Sequence, residues 1–431
     1  MVDPLHDLVR RHKAGEPVGI TSVCSAHPLV LEAAVLHAHD AGEPVLVEAT
    51  SNQVDQTGGY TGMRPADFRD LILGIANRLG MPAARVVLGG DHLGPNRWRA
   101  LAPDDAMARA EELIATYVAA GFTKLHLDCS MSCAGDPEPL NDDLASQRAA
   151  RLMRVAEETA GARAHELCYV LGTEVPAPGG ARTEIEGVVP TTAQAARQTL
   201  AAHRAALADA GLESVWPRVR ALVVQPGVEF GALQVVDYVR ERTVSLRAAL
   251  EDEPDMVFEA HSTDYQTSQR LAALVEDHWA VLKEGPGLPF ALREALFALA
   301  AIEDELVSRD QRSRLVAVLE GCMLSHPDHW ESHYRGSPED QRVARRYSNS
   351  ARLRYYWPSP AVHAAQERLL ANLAGVSIPL PMLSQHLPAQ YRRVRGGTLA
   401  SEPRALVIDH VRDVLRTYAA ACSLREARGP G

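Results

Sequence analysis

Aromatic residues are scarce, at 5% of 431 residues, and there are only six cysteines. One close cysteine pair occurs, Cys129 and Cys133 in DCSMSC, whereas a zinc knuckle requires a second such pair. All six are therefore expected to be reduced thiols in the core or in loops. No apolar run approaches the roughly twenty residues of a membrane-spanning helix. None follows the charges of the opening MVDPLHDLVRRHKAGEP either, so neither a membrane protein nor a secretory signal is expected, and the expected compartment is the cytoplasm. Basic residues are outnumbered, 44 Lys and Arg against 55 Asp and Glu, giving a formal charge of −11. That balance repels nucleic acid and anionic membrane. The densest basic stretch, RVARRYSNSARLRYYW at 342–357, is expected to be a solvated helix face. Neither glycine-rich phosphate loop, G-x-x-x-x-G-K-[ST] or G-x-G-x-x-G, is present, which counts against a kinase and against an open dinucleotide-binding sheet.

What the chain does have is repetition. An apolar β-branched run, a polar turn, an amphipathic helical stretch and a glycine stop recur through roughly the first three hundred residues, the pattern of βα units. Strands are expected at 18–27, 44–52, 85–92, 124–130, 165–172, 221–227, 256–262 and 280–287, each nearly continuous in apolar character, as strands covered by helices are. Gly42, Gly80, Gly121 and Gly211 follow helical stretches and should end them in left-handed conformation. Asp105, Thr192 and Asp264 stand where helix N-caps belong. Eight such units predict an α/β fold, a TIM (β/α)8 barrel over residues 1–308, followed by a mostly helical C-terminal extension over 309–431. In the extension, the prolines of 377–394 preclude a continuous helix. His326 and His329 are expected in a surface loop, and the extension is expected to carry no catalytic residue.

In such a barrel the chemistry sits at the carboxyl ends of the strands. There the sequence places Glu48 and Asn52, Asp91 and His92, Asp128, Glu174, Gln225 and Glu229, Glu259 and His261, and Lys283 and Glu284. Two histidines and several carboxylates converging on one mouth are the ligand set of a divalent ion, Zn2+ above all, with Mn2+, Co2+ or Ni2+ as alternatives, and with a position left for substrate. His92 and His261 are the expected histidine ligands. Asp91 and Asp128 are the expected catalytic residues, with Asp91 the proton carrier beside a metal-held histidine; the alternative for Asp91 is a turn cap. In GGDHLGPN (89–96), Gly89 and Gly90 are expected to let the backbone approach a ligand. Glu48, Asn52, Gln225, Ser262 and Lys283 are expected to contact substrate.

The segments GGDHLGPN, KLHLDCSM, HELCYVLGTEVP, FEAHSTDYQT, KEGPGLPFALREALFALA and SIPLPMLSQHLPAQY, in this order, resemble the GatZ/KbaZ family over essentially the whole chain. The resemblance implies a non-catalytic, stabilising subunit of class II D-tagatose-1,6-bisphosphate aldolase. It further implies a sugar or sugar phosphate as ligand and a separate catalytic aldolase subunit as partner; members also carry the label tagatose-6-phosphate kinase. A homo-oligomer is expected as well. The family is similar in turn to the class II ketose-bisphosphate aldolases, zinc-dependent barrels in which an Asp-His pair on the third strand supplies the proton carrier and a metal ligand. Asp91 and His92 match that pair, and His261 matches another metal histidine. Where the aldolases carry a glutamate before Leu-Gly at the fifth strand, this chain has Val170, so Glu174 or Glu166 would take its place. Where they carry a histidine after the sixth strand, it offers Glu229.

The loop after His261 reads Ser262-Thr263-Asp264 in place of a glycine-rich run, and the loop after the eighth strand reads EGPGLP. The helix following Pro289 is expected to present free amides to a phosphate. Two enzymatic readings follow, an aldolase subunit (a lyase) and a stand-alone metal-dependent ketose or ketose-phosphate 4-epimerase (an isomerase). Both need a cation that polarises the ketose carbonyl as the C3–C4 bond breaks. A purely structural subunit is the non-enzymatic reading.

Overall fold

The computed structural model, which describes residues 3–172 and 188–422, has eight parallel strands closed into a barrel. They are β1 (Ile20–Val23), β2 (Val45–Thr50), β3 (Val86–Leu93), β4 (Lys124–Leu127), β5 (Cys168–Leu171), β6 (Val219–Val223), β7 (Val257–Ala260) and β8 (Trp279–Glu284). β1 pairs with both β2 and β8, which closes the ring. All eight expected segments form strands, and the polar residues just past each strand form the loops of the mouth.

The glycine stops work as local chemistry demands. Gly42, Gly80, Gly121 and Gly211 have φ of 72°, 76°, 93° and 67°, the left-handed region that costs glycine least. Thr192 caps its helix by accepting from the Ala195 amide at 3.1 Å. Asp105 instead lies inside the first turn of helix Pro103–Ala119, where a carboxylate still favours the helix dipole. Asp264 does not cap the helix that follows it; Thr267 does.

Two apolar cores hold the barrel. The larger lies between strands and outer helices and runs without interruption into the extension. The smaller fills the barrel interior with Leu46, Val170, Ala221, Val223, Val257 and Val281, and Leu5 and Val9 close it from below. Successive side chains on a strand alternate in direction, so the residue two beyond Leu46, Glu48, also points inward, as does Glu259 two beyond Val257. The interior is thus apolar at its amino end and ionic at its carboxyl end.

The extension is helical and broken at Pro388 into short pieces, Leu380–His386 and Pro388–Arg395, within the proline-rich stretch. Its last helix, Pro403–Cys422, packs against helices Pro28–Ala41, Ser268–Glu276 and Gly287–Leu306. The Cys422 carbonyl accepts from Gly19 at 3.0 Å. The basic stretch departs from expectation. Arg345 is buried, ion-paired with Glu320 at 2.6 Å and seated 4.6 Å from the Trp330 ring, and the turn Arg352–Tyr356 is packed inward rather than solvated. The six cysteines are free, five buried and Cys322 half-buried. Among the described residues no helix is long and apolar enough to cross a membrane.

Candidate functional site

Alternation along a strand should send Asp91 and His92 to opposite faces, yet both line the same cavity. The reason is a bulge in β3. Gly90 pairs with Leu125 and Leu93 with Leu127, so β3 spends one residue more than β4, and His92 adopts φ 49°. A bulge re-aims a side chain in this way, and a non-glycine residue at positive φ stores strain that its surroundings must hold. Gly89 and Gly90 serve this packing rather than a ligand. A Cβ at Gly89 would lie 2.6 Å from Glu48 Cγ, and one at Gly90 would lie 2.5 Å from Leu93 Cδ1.

Beneath the mouth lies an ionic layer. Lys124 Nζ sits 2.6 Å from Glu48 Oε1 and 2.7 Å from Glu259 Oε2, all three side chains fully buried. Lys283 Nζ reaches Glu48 Oε2 at 2.9 Å and Asp91 Oδ1 at 2.8 Å. The Ser22 hydroxyl donates to Glu48 at 2.5 Å. Burial opposes the ammonium of Lys124, but the charges of Glu259 and Glu48 outweigh it and raise its pKa. Burial opposes the charge of Glu259 too, yet Lys124 and Lys283 hold it well below the usual carboxylate range.

Above that layer three imidazoles, His92, His126 and His261, meet edge to face with ring centroids 5.1, 5.0 and 5.0 Å apart. His92 Nδ1 lies 2.8 Å from Asp128 Oδ2, which fixes the ring and leaves Nε2 toward the centre, 3.8 Å from Asp91 Oδ2. His126 Nδ1 is 3.0 Å from Asp91 Oδ1, and its Nε2 is buried with no hydrogen-bond partner. His261 Nε2 is 3.0 Å from Glu259 Oε1. Burial, with the neighbouring imidazoles adding to it, takes the His261 pKa down to about 3. Burial acts on His92 in the same sense, but Asp91 and Asp128 outweigh it and raise its pKa.

Donor atoms of Asp91, His126, Glu259 and His261 all lie within 4.8 Å of one another. Two imidazoles and two carboxylates, buried and at the carboxyl ends of their strands, are a group that could hold a divalent ion. The orphaned His126 Nε2 and the local charge fit one. Glu48, Asp91 and Glu259 are three carboxyl groups on two ammonium groups, with Asp128 on His92 beside them, acidic surroundings that suit a cation.

The group opens into a cavity that the extension helps to line. Arg354 and Tyr355 stand there with Asn52, Ser262 and Lys283. The Arg354 guanidinium donates to the Tyr355 hydroxyl at 2.9 Å. His329 stacks on the Tyr355 ring at 4.7 Å, and Tyr60 meets it edge-on at 4.7 Å. Burial would raise the Tyr355 pKa, but Arg354 and Arg352 outweigh it and lower the phenol below its usual value. The site therefore crosses the expected division at residue 308, because the turn Arg352–Tyr356 is pinned over the mouth by the Tyr265 hydroxyl on the Asn349 carbonyl.

Of the residues singled out in the sequence, Asp91, His92, His261, Asn52, Ser262 and Lys283 line the cavity. Asp128 stands behind His92. Glu48 lies below the floor, held by Ser22 and two lysines, so it supports Lys283 and is shut off from a ligand. Gln225 turns to its own loop, where its side-chain oxygen accepts from the amides of Gly227 at 2.8 Å and Val228 at 3.0 Å. Glu229 misses the histidines. It accepts from the Phe230 amide at 2.9 Å beside Ser262 and Asp264, and burial raises its pKa. Glu166 is in the turn that precedes β5, 4.0 Å from Arg163, at the amino end of the barrel and out of reach. Glu174 lies outside the described residues.

Asp91 caps no turn, since its carboxylate is engaged by His126 and Lys283. The residues overlooked as site members are Lys124 and His126, and Glu259, placed at the mouth from the sequence, was given no role there. A signal for them exists. In KLHLD the polar residues Lys124, His126 and Asp128 recur at every second position, as do Glu259 and His261 in FEAH, and that period puts each set on the inward face.

Over residues 5–423 the chain matches the family model described as D-tagatose-1,6-bisphosphate aldolase subunit GatZ/KbaZ-like. Among solved structures it is similar to a protein of Sinorhizobium meliloti 1021 described as a probable tagatose 6 phosphate kinase. The two are 49% identical over 94% of this chain and 100% of the other, with a TM-score of 0.87. It is similar, far more remotely, to the YdjI aldolase from Escherichia coli K12 (12% identity, 90% of this chain and 100% of the other, TM-score 0.44). The fructose-bisphosphate aldolase of Campylobacter jejuni stands at the same distance (13% identity, 86% and 91%, TM-score 0.43). Likeness of that degree bears on neither site nor substrate.

Proposed function

We propose, on the premise that this chain belongs to the GatZ/KbaZ-like family of D-tagatose-1,6-bisphosphate aldolase subunits, that its barrel mouth is itself a divalent-metal site for a ketose or ketose phosphate. The observation that carries this reading is the buried group Asp91, His126, Glu259 and His261, whose donor atoms lie within 4.8 Å of one another and which opens into the cavity through Asp91 and His261. A scaffold gains little from such a group, since even paired buried charges return little more than their desolvation cost. The chemistry a divalent ion supplies there is Lewis-acid polarisation of a ketose carbonyl. His92, steadied by Asp128, and Glu229 do not belong to the four-residue group; His92 Nε2 lies 3.8 Å from Asp91 Oδ2.

The chain's own groups then have separable roles. Asp91 faces the cavity and accepts the C4 hydroxyl proton as the C3–C4 bond breaks, returning it when the bond re-forms. Lys283 keeps Asp91 in place and offsets its charge. Asn52, Ser262, Arg354 and Tyr355 offer hydrogen bonds to sugar hydroxyls or to a phosphate. A kinase is poorly supported, because the cavity's lysine is committed to carboxylates and no glycine-rich loop carries another. The deciding experiment incubates the purified chain, loaded with Zn2+, Mn2+, Co2+ or Ni2+, with D-tagatose, D-fructose and their phosphates, alone and with a catalytic aldolase subunit. Epimerisation by the chain alone identifies a 4-epimerase. Cleavage only with the partner identifies an aldolase subunit, and silence in every combination leaves a structural role.

Two predictions follow from these assignments. His126→Ala and His261→Ala should each lower the metal retained after dialysis at least roughly tenfold, by elemental analysis, since even outer-shell losses reach that size. Unchanged stoichiometry in both variants would remove the metal site. Arg354→Ala should raise KM for the accepted ketose about tenfold while kcat changes little, the pattern of a lost binding contact. An unaltered KM would return the extension to a purely structural part.

A further inference from the structure

The loop after β8 and the helix that follows it, Gly287–Leu306, present backbone amides where an anion could be held. Those amides are taken. Asp264 Oδ1 accepts from the amides of Gly285 at 2.9 Å and Gly287 at 2.8 Å, and Glu284 Oε1 accepts from Leu288 at 2.6 Å. Glycine at 287 is what admits the two carboxyl groups, because a Cβ there would lie 2.6 Å from Glu284 Oε1 and 3.1 Å from Asp264 Oδ1. The expectation of free amides for a phosphate is thereby corrected.

The surroundings reinforce this. Asp264, Glu284 and Glu229 are all buried, and the described residues include no ion pair to any of the three. Burial raises the pKa of Asp264 and, with Asp264 beside it, that of Glu284, as expected of carboxyl groups crowded together without a cation. Asp264, Ser262 and Gly285 face the cavity. A phosphate dianion entering here would find amides already satisfied and an acidic wall. A sugar hydroxyl would find acceptors for its proton.

We propose that the Asp264–Glu284 end of the cavity receives an uncharged, hydroxyl-bearing end of the ketose and excludes a phosphate, so that a ketose phosphorylated at both ends is not this chain's own ligand. The proposal rests on the reading of the mouth as a ketose site. It leaves room for a single phosphate elsewhere in the cavity, where Arg354 is the cation. The exclusion has two parts: the amides that could hold a phosphate are already bonded, and a like charge set against the carboxylate charge that Asp264 keeps is disfavoured.

Calorimetric titration of the metal-loaded full chain with D-fructose, D-tagatose and D-tagatose 1,6-bisphosphate tests it, with inorganic phosphate titrated separately into metal-free protein. The unaltered chain should bind a free ketose at least about tenfold more tightly than the bisphosphate. Asp264→Asn keeps the side chain's acceptor oxygen and removes the charge. It should narrow that ratio, and strengthen inorganic phosphate binding, by about tenfold. Asp264→Ser, which also removes the charge and frees the Gly285 and Gly287 amides, serves as the second variant should the first fold poorly. Bisphosphate binding as tight as that of the free ketose overturns the proposal, as does a ratio unmoved in both variants. If no ketose binds at all, the functional reading falls, and the phosphate arm still decides this one. A phosphate affinity that rises on loss of the Asp264 charge supports the exclusion, and one that does not overturns it.

Discussion

Asp91→Asn is expected to lower ketose turnover by on the order of 10²-fold or more at saturating divalent ion, the size usual for loss of a positioned acid or base. Asparagine keeps the shape and can still accept a hydrogen bond, so the variant isolates the negative charge. That charge has three claimants. Lys283 lies 2.8 Å and His126 3.0 Å from Oδ1, while Oδ2 looks toward His92 Nε2 at 3.8 Å. Burial would push this carboxyl upward, but His92, Lys283 and His126 together hold it well below the usual carboxylate range. Because Asp91 is also one of the four grouped donors, metal content and turnover must be measured on the same sample. Turnover lost at full metal occupancy supports the proton role, and turnover lost in proportion to metal would make Asp91 a ligand only. Near-normal turnover at full occupancy would discard it from the chemistry.

Lys124→Met is expected to be the most destabilising single change in the barrel, by ~3–5 kcal/mol, because it strands two buried carboxylates that share one ammonium. Lys124 has no exposure and bridges Glu48 and Glu259 at 2.6 and 2.7 Å. The gain from that ion pair over a well-packed apolar trio is small; what costs so much is removing one member and leaving the others. Methionine matches the length of the lysine stem, so the loss reports charge and not a cavity. Denaturant unfolding of the two chains measures it, and a difference under about 1 kcal/mol would mean that water or protons reach the layer and relieve it. Lys283 alone cannot replace Lys124, since its ammonium is already divided between Glu48 and Asp91.

These two residues illustrate what can and cannot be read along a chain. Asp91 was visible, because a carboxylate before a histidine after an apolar run marks the carboxyl end of a barrel strand. Lys124 was not, because a lysine at the start of a strand reads as a solvent-facing end. Only closure of the ring puts it opposite Glu48 and Glu259, residues 76 positions before it and 135 after it. His126 was hidden in the same way, although its two-residue spacing from Lys124 and Asp128 carried the signal.

What the sequence determined by itself was local and periodic. Eight apolar runs, each bounded by an amphipathic helix and a glycine stop, suffice for a (β/α)8 barrel, and the barrel in turn places polar strand-end residues at one mouth. The tertiary structure alone decided which of those residues meet. One extra residue in β3 turned His92 inward beside Asp91, and loop hydrogen bonds drew Gln225 and Glu229 away from the histidines. The return of the extension brought Arg354 and Tyr355 over a site that the first three hundred residues seemed to complete. The physical reason is the range of the forces involved. Side-chain period and glycine conformation are set within a few residues, whereas register, ion pairing and the closing of a mouth depend on groups that come together only when the whole chain has folded.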